Sequence, residues 1–166
     1  MVTEQNLRDA FAGESQANRK YLAFARRAEQ EGLAQAAKLF RATARAETVH
    51  AMAHLRVMDG VRSTGENLQE ALSGEGYAFK EMYPRFVATA MDEGAKKAML
   101  SFNNTMEAEK VHHELYADAL KHVASGDDLP EERIFVCSLC GNTVMGQPPE
   151  RCPVCDAPSE KFEEVD

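Results

Sequence analysis

Glu47-Thr48-Val49-His50 and Glu109-Lys110-Val111-His112 are one phrase written twice, 62 positions apart. The flanks repeat at the same offset. Glu31-Gly32, Phe40 and Ala46 recur as Glu93-Gly94, Phe102 and Ala108, and Tyr21 and Phe24 recur as Tyr83 and Phe86. Gly13-Glu14 recurs as Gly74-Glu75 at an offset of 61, so one residue is gained between Gly76 and Tyr83. Positions i and i+3 lie on one helix face, so each Glu-x-x-His offers an oxygen and a nitrogen to a common interior point. Glu14 and Glu75 add one carboxylate per repeat. A Glu from each of two helices plus Glu-x-x-His from each of two others is the ligand set of a two-metal carboxylate bundle.

A single Glu-x-x-His is ordinarily a solvated pair. Two in register, with repeated flanks and a further Glu on an apolar stripe, are not explained that way. The donors are oxygen-rich with some nitrogen, which suits iron first and manganese second. Four carboxylates balance two divalent ions, and a dry interior tolerates that cluster but not four unpaired charges.

Working outward, residues 3–126 read as helix almost throughout. Leu7, Ala10, Phe11, Glu14, Ala17, Tyr21, Phe24, Ala25 and Ala28 form a stripe at helical spacing. Glu31-Gly32 ends the first helix, and Leu33 to Met58 carries the second. Asp59 to Gly65 connects, with Thr64 the expected N-cap of the third. Glu93-Gly94 ends that helix, and Ala95 to Ala124 forms the fourth. Pro84 is expected to bend the third helix, because it lacks a backbone donor and crowds the preceding turn. His54 is read as an ordinary histidine, and His113 and His122 as exposed. Two similar helix pairs imply a four-helix bundle with an internal two-fold repeat.

Ser125-Gly126-Asp127-Asp128-Leu129-Pro130 is a linker by composition. Beyond it proline is dense and apolar residues are sparse, and so short a stretch needs a staple. Cys137-Ser138-Leu139-Cys140 and Cys152-Pro153-Val154-Cys155 provide one: two knuckles whose amides turn toward sulfur and whose four thiolates make a tetrahedral site for zinc or iron. A structural zinc site is the plain reading of the tail alone. Beside a redox metal pair, a one-electron Fe(Cys)4 centre explains both parts together.

The composition sets bounds. The chain has 166 residues, 44% hydrophobic and 28% charged, with a formal charge of −8. The acidic balance, without a basic block, argues against nucleic acid or an anionic membrane surface as partner. No secretory signal or bilayer-spanning run is visible, and paired cysteines at metal spacing suit a reducing, cytoplasmic setting.

Phe11-Ala12-Gly13-Glu14-Ser15, Ala46-Glu47-Thr48-Val49-His50, Glu81-Met82-Tyr83-Pro84 after Gly74-Glu75, and Glu107-Ala108-Glu109-Lys110-Val111-His112 resemble the rubrerythrins, over essentially the whole chain. The resemblance implies a mostly α fold: a ferritin-like four-helix bundle over 1–127 and a small rubredoxin-like metal-knuckle domain over 128–166. It implies a cytoplasmic non-haem di-iron peroxidase that reduces hydrogen peroxide to water in oxidative-stress defence. The di-iron ligands would be Glu14, Glu47, His50, Glu75, Glu109 and His112. Cys137, Cys140, Cys152 and Cys155 would hold the mononuclear iron that relays electrons. Those electrons would come from rubredoxin or an NAD(P)H-dependent flavoprotein reductase. The resemblance also implies a homodimer in which one subunit's rubredoxin-like centre faces the other's iron pair. The family pattern has a further Glu where this chain has Ala78. That carboxylate trades places with the histidine of the first Glu-x-x-His as iron changes oxidation state, and alanine cannot. Glu81, about 120° away from Glu75 on an ideal helix, is a poor substitute. Two rivals remain: a ferroxidase or iron-storage protein, which would not need the tail, and a non-enzymatic electron carrier.

Overall fold

The computed structural model describes residues 1–165 and divides into two compact units, Met1–Arg62 and Ser63 onward. The first is a helical hairpin of α1 (Val2–Gln30) and α2 (Ala34–Val57). Ala37, Ala44 and Ala51, spaced by seven, are the buried positions of α2, and Ala25 and Ala28 those of α1. A seven-residue spacing keeps small side chains on one line, where two helices can approach closely. Asn18 ties the pair across the seam, donating to the Ala44 carbonyl at 2.7 Å and the Thr48 hydroxyl at 2.9 Å.

The second unit contains α3 (Thr64–Tyr77), a π-helical turn (Ala78–Met82), α4 (Tyr83–Asp92) and α5 (Lys96–Ser125). It ends in a small antiparallel sheet ordered β2-β1-β3, from β1 (Ile134–Cys137), β2 (Thr143–Met145) and β3 (Phe162–Glu164). The cap of α3 is Ser63 rather than Thr64: its hydroxyl accepts from Glu66 N–H while the Glu66 carboxylate accepts from Ser63 N–H. A serine followed three residues later by glutamate is a reciprocal capping box, so the signal began one residue earlier.

The sequence repeat is a repeat in space. At the end of α1, Gly32 takes φ +77° and Leu33 N–H reaches back to Ala28 O at 2.8 Å. At the end of α4, Gly94 takes φ +67° and Ala95 N–H reaches Ala90 O at 2.8 Å. Both are the left-handed glycine stop that satisfies the last carbonyls. The aromatic residues repeat as well. Phe24 and Phe40 ring centroids stand 5.6 Å apart and Tyr21–Phe40 6.3 Å; Phe86–Phe102 stand 5.6 Å and Tyr83–Phe102 6.2 Å.

The residue gained between Gly76 and Tyr83 is absorbed by the π turn. There Tyr83 N–H donates to Ala78 O, five residues back, and Pro84 follows at once. One extra residue in a turn leaves Glu75 on its face and still returns Tyr83 and Phe86 to theirs. The break expected from Pro84 therefore takes this form. His113, expected on the surface, is half-buried. It donates from Nδ1 to the Leu72 carbonyl at 2.9 Å, and its ring lies 5.2 Å from Phe79. Gly76 makes the room, since a Cβ there would come within 3.1 Å of that ring.

In the sheet, Phe135 and Cys137 alternate inward from β1 and join Cys152, Ala157 and Phe162 as the core of the small module. Two of those five residues are cysteines, so the core is built around the thiol site rather than beside it.

Candidate metal centres

Each helical hairpin carries one carboxylate-histidine group. In the first, Glu14 on α1 meets Glu47 and His50 on α2, with one ligand atom from each within 4.8 Å of the others. In the second, Glu75 on α3 meets Glu109 and His112 on α5 within the same limit. The i,i+3 geometry is alike in both: His50 Nδ1 lies 2.9 Å from Glu47 Oε2, and His112 Nδ1 lies 2.8 Å from Glu109 Oε2. All six proposed ligands thus fall into these two groups, while Glu81 is exposed and belongs to neither.

The electrostatics of the second group suit a cation. Burial, then the hydrogen bond and charge of Glu109, push the Glu75 carboxyl up to about 7. Two carboxylates this close cannot both ionise without positive charge between them. Burial and then Glu109 also raise the Tyr83 phenol, which Thr105 partly offsets by a hydrogen bond. A cavity of about 710 Å³, walled largely by Leu68, Leu115, Ile134 and Met145, opens on Glu75 and His112.

The four cysteines converge as well. Cys137 and Cys155 sulfurs lie 3.7 Å apart, and those of Cys140 and Cys152 lie 3.6 Å apart. A tetrahedron with 2.3 Å metal–sulfur arms has edges of about 3.75 Å, so the site is already shaped for the ion. The two knuckles match bond for bond. Cys137 N–H donates to Asn142 O at 2.9 Å, as Cys152 N–H does to Ala157 O at 2.7 Å. Gly141 and Asp156 occupy the left-handed position before each acceptor. Burial raises the Cys140 and Cys155 thiols. For Cys137 burial pulls the same way, but the Leu139 and Cys140 amides aimed at its sulfur bring the thiol lower on balance.

Two contacts from one ring join the second group to the thiol module. His112 Nε2 stands 3.0 Å from the carbonyl of Gly141, the residue after the ligand Cys140, and 3.1 Å from Thr143 Oγ1. The reach is physically simple. His112 lies about 20 Å back along α5 from its end, at ~1.5 Å per residue. The connection up to Arg133 can extend ~23 Å, at ~3.3 Å per residue, so β1 and β2 can fold back onto α5.

The rubrerythrin family model matches residues 5–120. The chain belongs to the rubrerythrin family. A second model, the rubrerythrin rubredoxin-like domain, matches residues 135–163. Rubrerythrin-2 of Clostridium acetobutylicum is 32% identical, over 98% of this chain and 96% of that protein. Nigerythrin of Nitratidesulfovibrio vulgaris is 34% identical, over 96% and 85%, and the rubrerythrin of Porphyromonas gingivalis 35% identical, over 97% and 88%. A mixed-valence nigerythrin structure covers 98% of this chain and 86% of its own, with TM-score 0.59 and 34% identity. An all-ferrous state of nigerythrin matches with the same TM-score.

The fold class is therefore mostly α, a ferritin-like rubrerythrin domain followed by a small four-cysteine strand domain. Rubrerythrins are generally peroxide-reducing di-iron oxidoreductases, and this chain carries both sets of iron ligands. No helix among the described residues is long and apolar enough to cross a membrane. Ala78, where the family pattern leads one to expect a carboxylate, is buried at the start of the π turn. Three residues were not singled out from sequence. Tyr83 was legible only as a repeat of Tyr21, although it comes two turns after a ligand. Asn142 and Thr143 follow a knuckle glycine and carry no spacing signal of their own.

Proposed function

We propose that this rubrerythrin reduces hydrogen peroxide to water, with two electrons and two protons consumed per peroxide. Glu14, Glu47, His50, Glu75, Glu109 and His112 hold the iron pair, and Cys137, Cys140, Cys152 and Cys155 hold a single iron. When bound, the pair supplies two electrons for breaking the O–O bond, and the single iron restores them one at a time. The observation that supports this most is the His112–Gly141 contact, which sets a ligand of one centre against the backbone beside a ligand of the other.

The remaining work falls to the chain's own side chains. The cavity gives a small hydroperoxide a route to the Glu75–His112 edge past the largely apolar side chains of Leu68, Leu115, Ile134 and Met145. Tyr83, whose phenol is kept protonated by burial and by Glu109, is placed to give up a proton to oxygen leaving the site. His50 remains a ligand in both oxidation states, because Ala78 provides no carboxylate to replace it. Rubredoxin, or a flavoprotein fed by NAD(P)H, recharges the tail centre in the cytoplasm, and the working form is a homodimer. The His112–Gly141 contact within one chain supports a relay inside each subunit, in place of the relay between subunits that the resemblance implies. The domains are a bundle over 1–127 and a rubredoxin-like module over 128–166, as the limits of the two family models support.

Steady-state peroxide consumption by the iron-loaded chain, with reduced rubredoxin as donor, tests the reading. Turnover that requires the donor supports it. Rapid ferrous oxidation without donor-dependent turnover would identify a ferroxidase instead. Anomalous scattering at the zinc edge in the tail would remove the relay.

A further inference from the structure

We propose that Thr143 is a positioning residue for His112, holding the Nε2 proton together with the Gly141 carbonyl and fixing how the ring is turned. The inference rests on His112 being a metal ligand, as proposed above.

The placement comes from strand alternation. Thr143 and Met145 lie on one side of β2, while Val144 lies on the other, against the module's core. Ile134 pairs with Met145 and Val136 with Thr143, so Thr143 stands on the sheet face that meets α5. There its hydroxyl lies 3.1 Å from His112 Nε2 and also donates to the Gly141 carbonyl at 3.2 Å.

A neutral imidazole carries one N–H, and the other nitrogen is a lone pair. Nε2 faces a carbonyl oxygen at 3.0 Å, which can only accept. Nδ1 faces the Glu109 carboxylate at 2.8 Å, so once a cation takes the Nδ1 lone pair beside Glu109 the single proton of the neutral ring falls on Nε2 and satisfies that carbonyl. The opposite tautomer would set the Nε2 lone pair against the carbonyl oxygen. It could be relieved only by the Thr143 hydroxyl abandoning Gly141. Two acceptors at nearly equal distance also define the ring plane, which one acceptor would leave free to swing. His50, the repeat's counterpart, has no such pair on Nε2 among the described residues. The second histidine is thus the stiffer ligand, and the stiffness is contributed by the tail.

The test uses the full chain loaded with zinc, in which imidazole nitrogens are observed by NMR, in wild type, Thr143→Val and Thr143→Ser. The wild type should show His112 protonated on Nε2, with a slowly exchanging proton. Thr143→Val, which keeps the shape and removes the hydroxyl, should speed that exchange at least tenfold, and Thr143→Ser should restore it. In the iron-loaded chain the same Val variant should slow reoxidation of the reduced four-cysteine centre by added hydrogen peroxide several-fold, with the midpoint potential of that centre unchanged. If Thr143→Val does not fold, Thr143→Ala replaces it. Equal exchange in variant and wild type would overturn the inference, as would failure of serine to restore it. The zinc measurement involves no peroxide, so it stands or falls apart from the peroxidase reading.

Discussion

Replacing Asn142 with leucine should make the tail module more stable. Asn142 is 1% exposed, and neither Nδ2 nor Oδ1 of its side chain has a hydrogen-bond partner among the described residues. Leaving a buried amide unsatisfied costs about 1–3 kcal/mol. Leucine has the same branched outline, so exchange removes that cost without an added cavity. The matching position of the other knuckle already holds an apolar residue, Ala157. The expected gain is about 2 kcal/mol, which for a small module unfolding by itself corresponds to a midpoint higher by about 8 °C or more. Asn142→Ala should gain less, because it leaves a void where the amide stood. The assay is thermal unfolding of the cobalt-substituted chain, followed by the visible absorption of the metal–thiolate site. That signal reports the module and not the helices. A lower midpoint for Asn142→Leu would refute the reasoning and show that the amide has a partner that contributes to stability.

Three further outcomes are expected. Chelating the tail metal should collapse the sheet and leave the helices standing, since two of the module's five core residues are its ligands; amide resonances from 134–164 that stay dispersed after chelation would contradict this. Metal binding to the second carboxylate-histidine group should release a proton near neutral pH, because Glu75 is held protonated up to about 7. Affinity should then be level above that pH and fall about tenfold per unit below it. Calorimetry in two buffers of different ionisation enthalpy measures the release, and none between pH 6 and 8 would defeat it. Finally, His50 should stay bound in crystal structures of both oxidation states, and its release on oxidation would show that another group does what Ala78 cannot.

Much of this protein was legible in the order of its residues. The doubled Glu-x-x-His, the preceding Glu residues, the repeated Glu-Gly stops and the paired cysteines are local or periodic signals. Helical spacing and knuckle chemistry turn each of them into geometry without help from distant parts of the chain. Even the π turn was written in advance, as one surplus residue between two copies of the repeat. Other features had no local signature. The burial of His113 depends on the missing Cβ of Gly76 one helix away. The contact of His112 with Gly141 and Thr143 depends on a linker folding the sheet back onto α5. Sequence fixes which atoms can bind a metal, because that is set by side-chain chemistry and backbone period. Which of those atoms is held still, and by what, was decided only when residues 31 positions apart came within hydrogen-bonding distance.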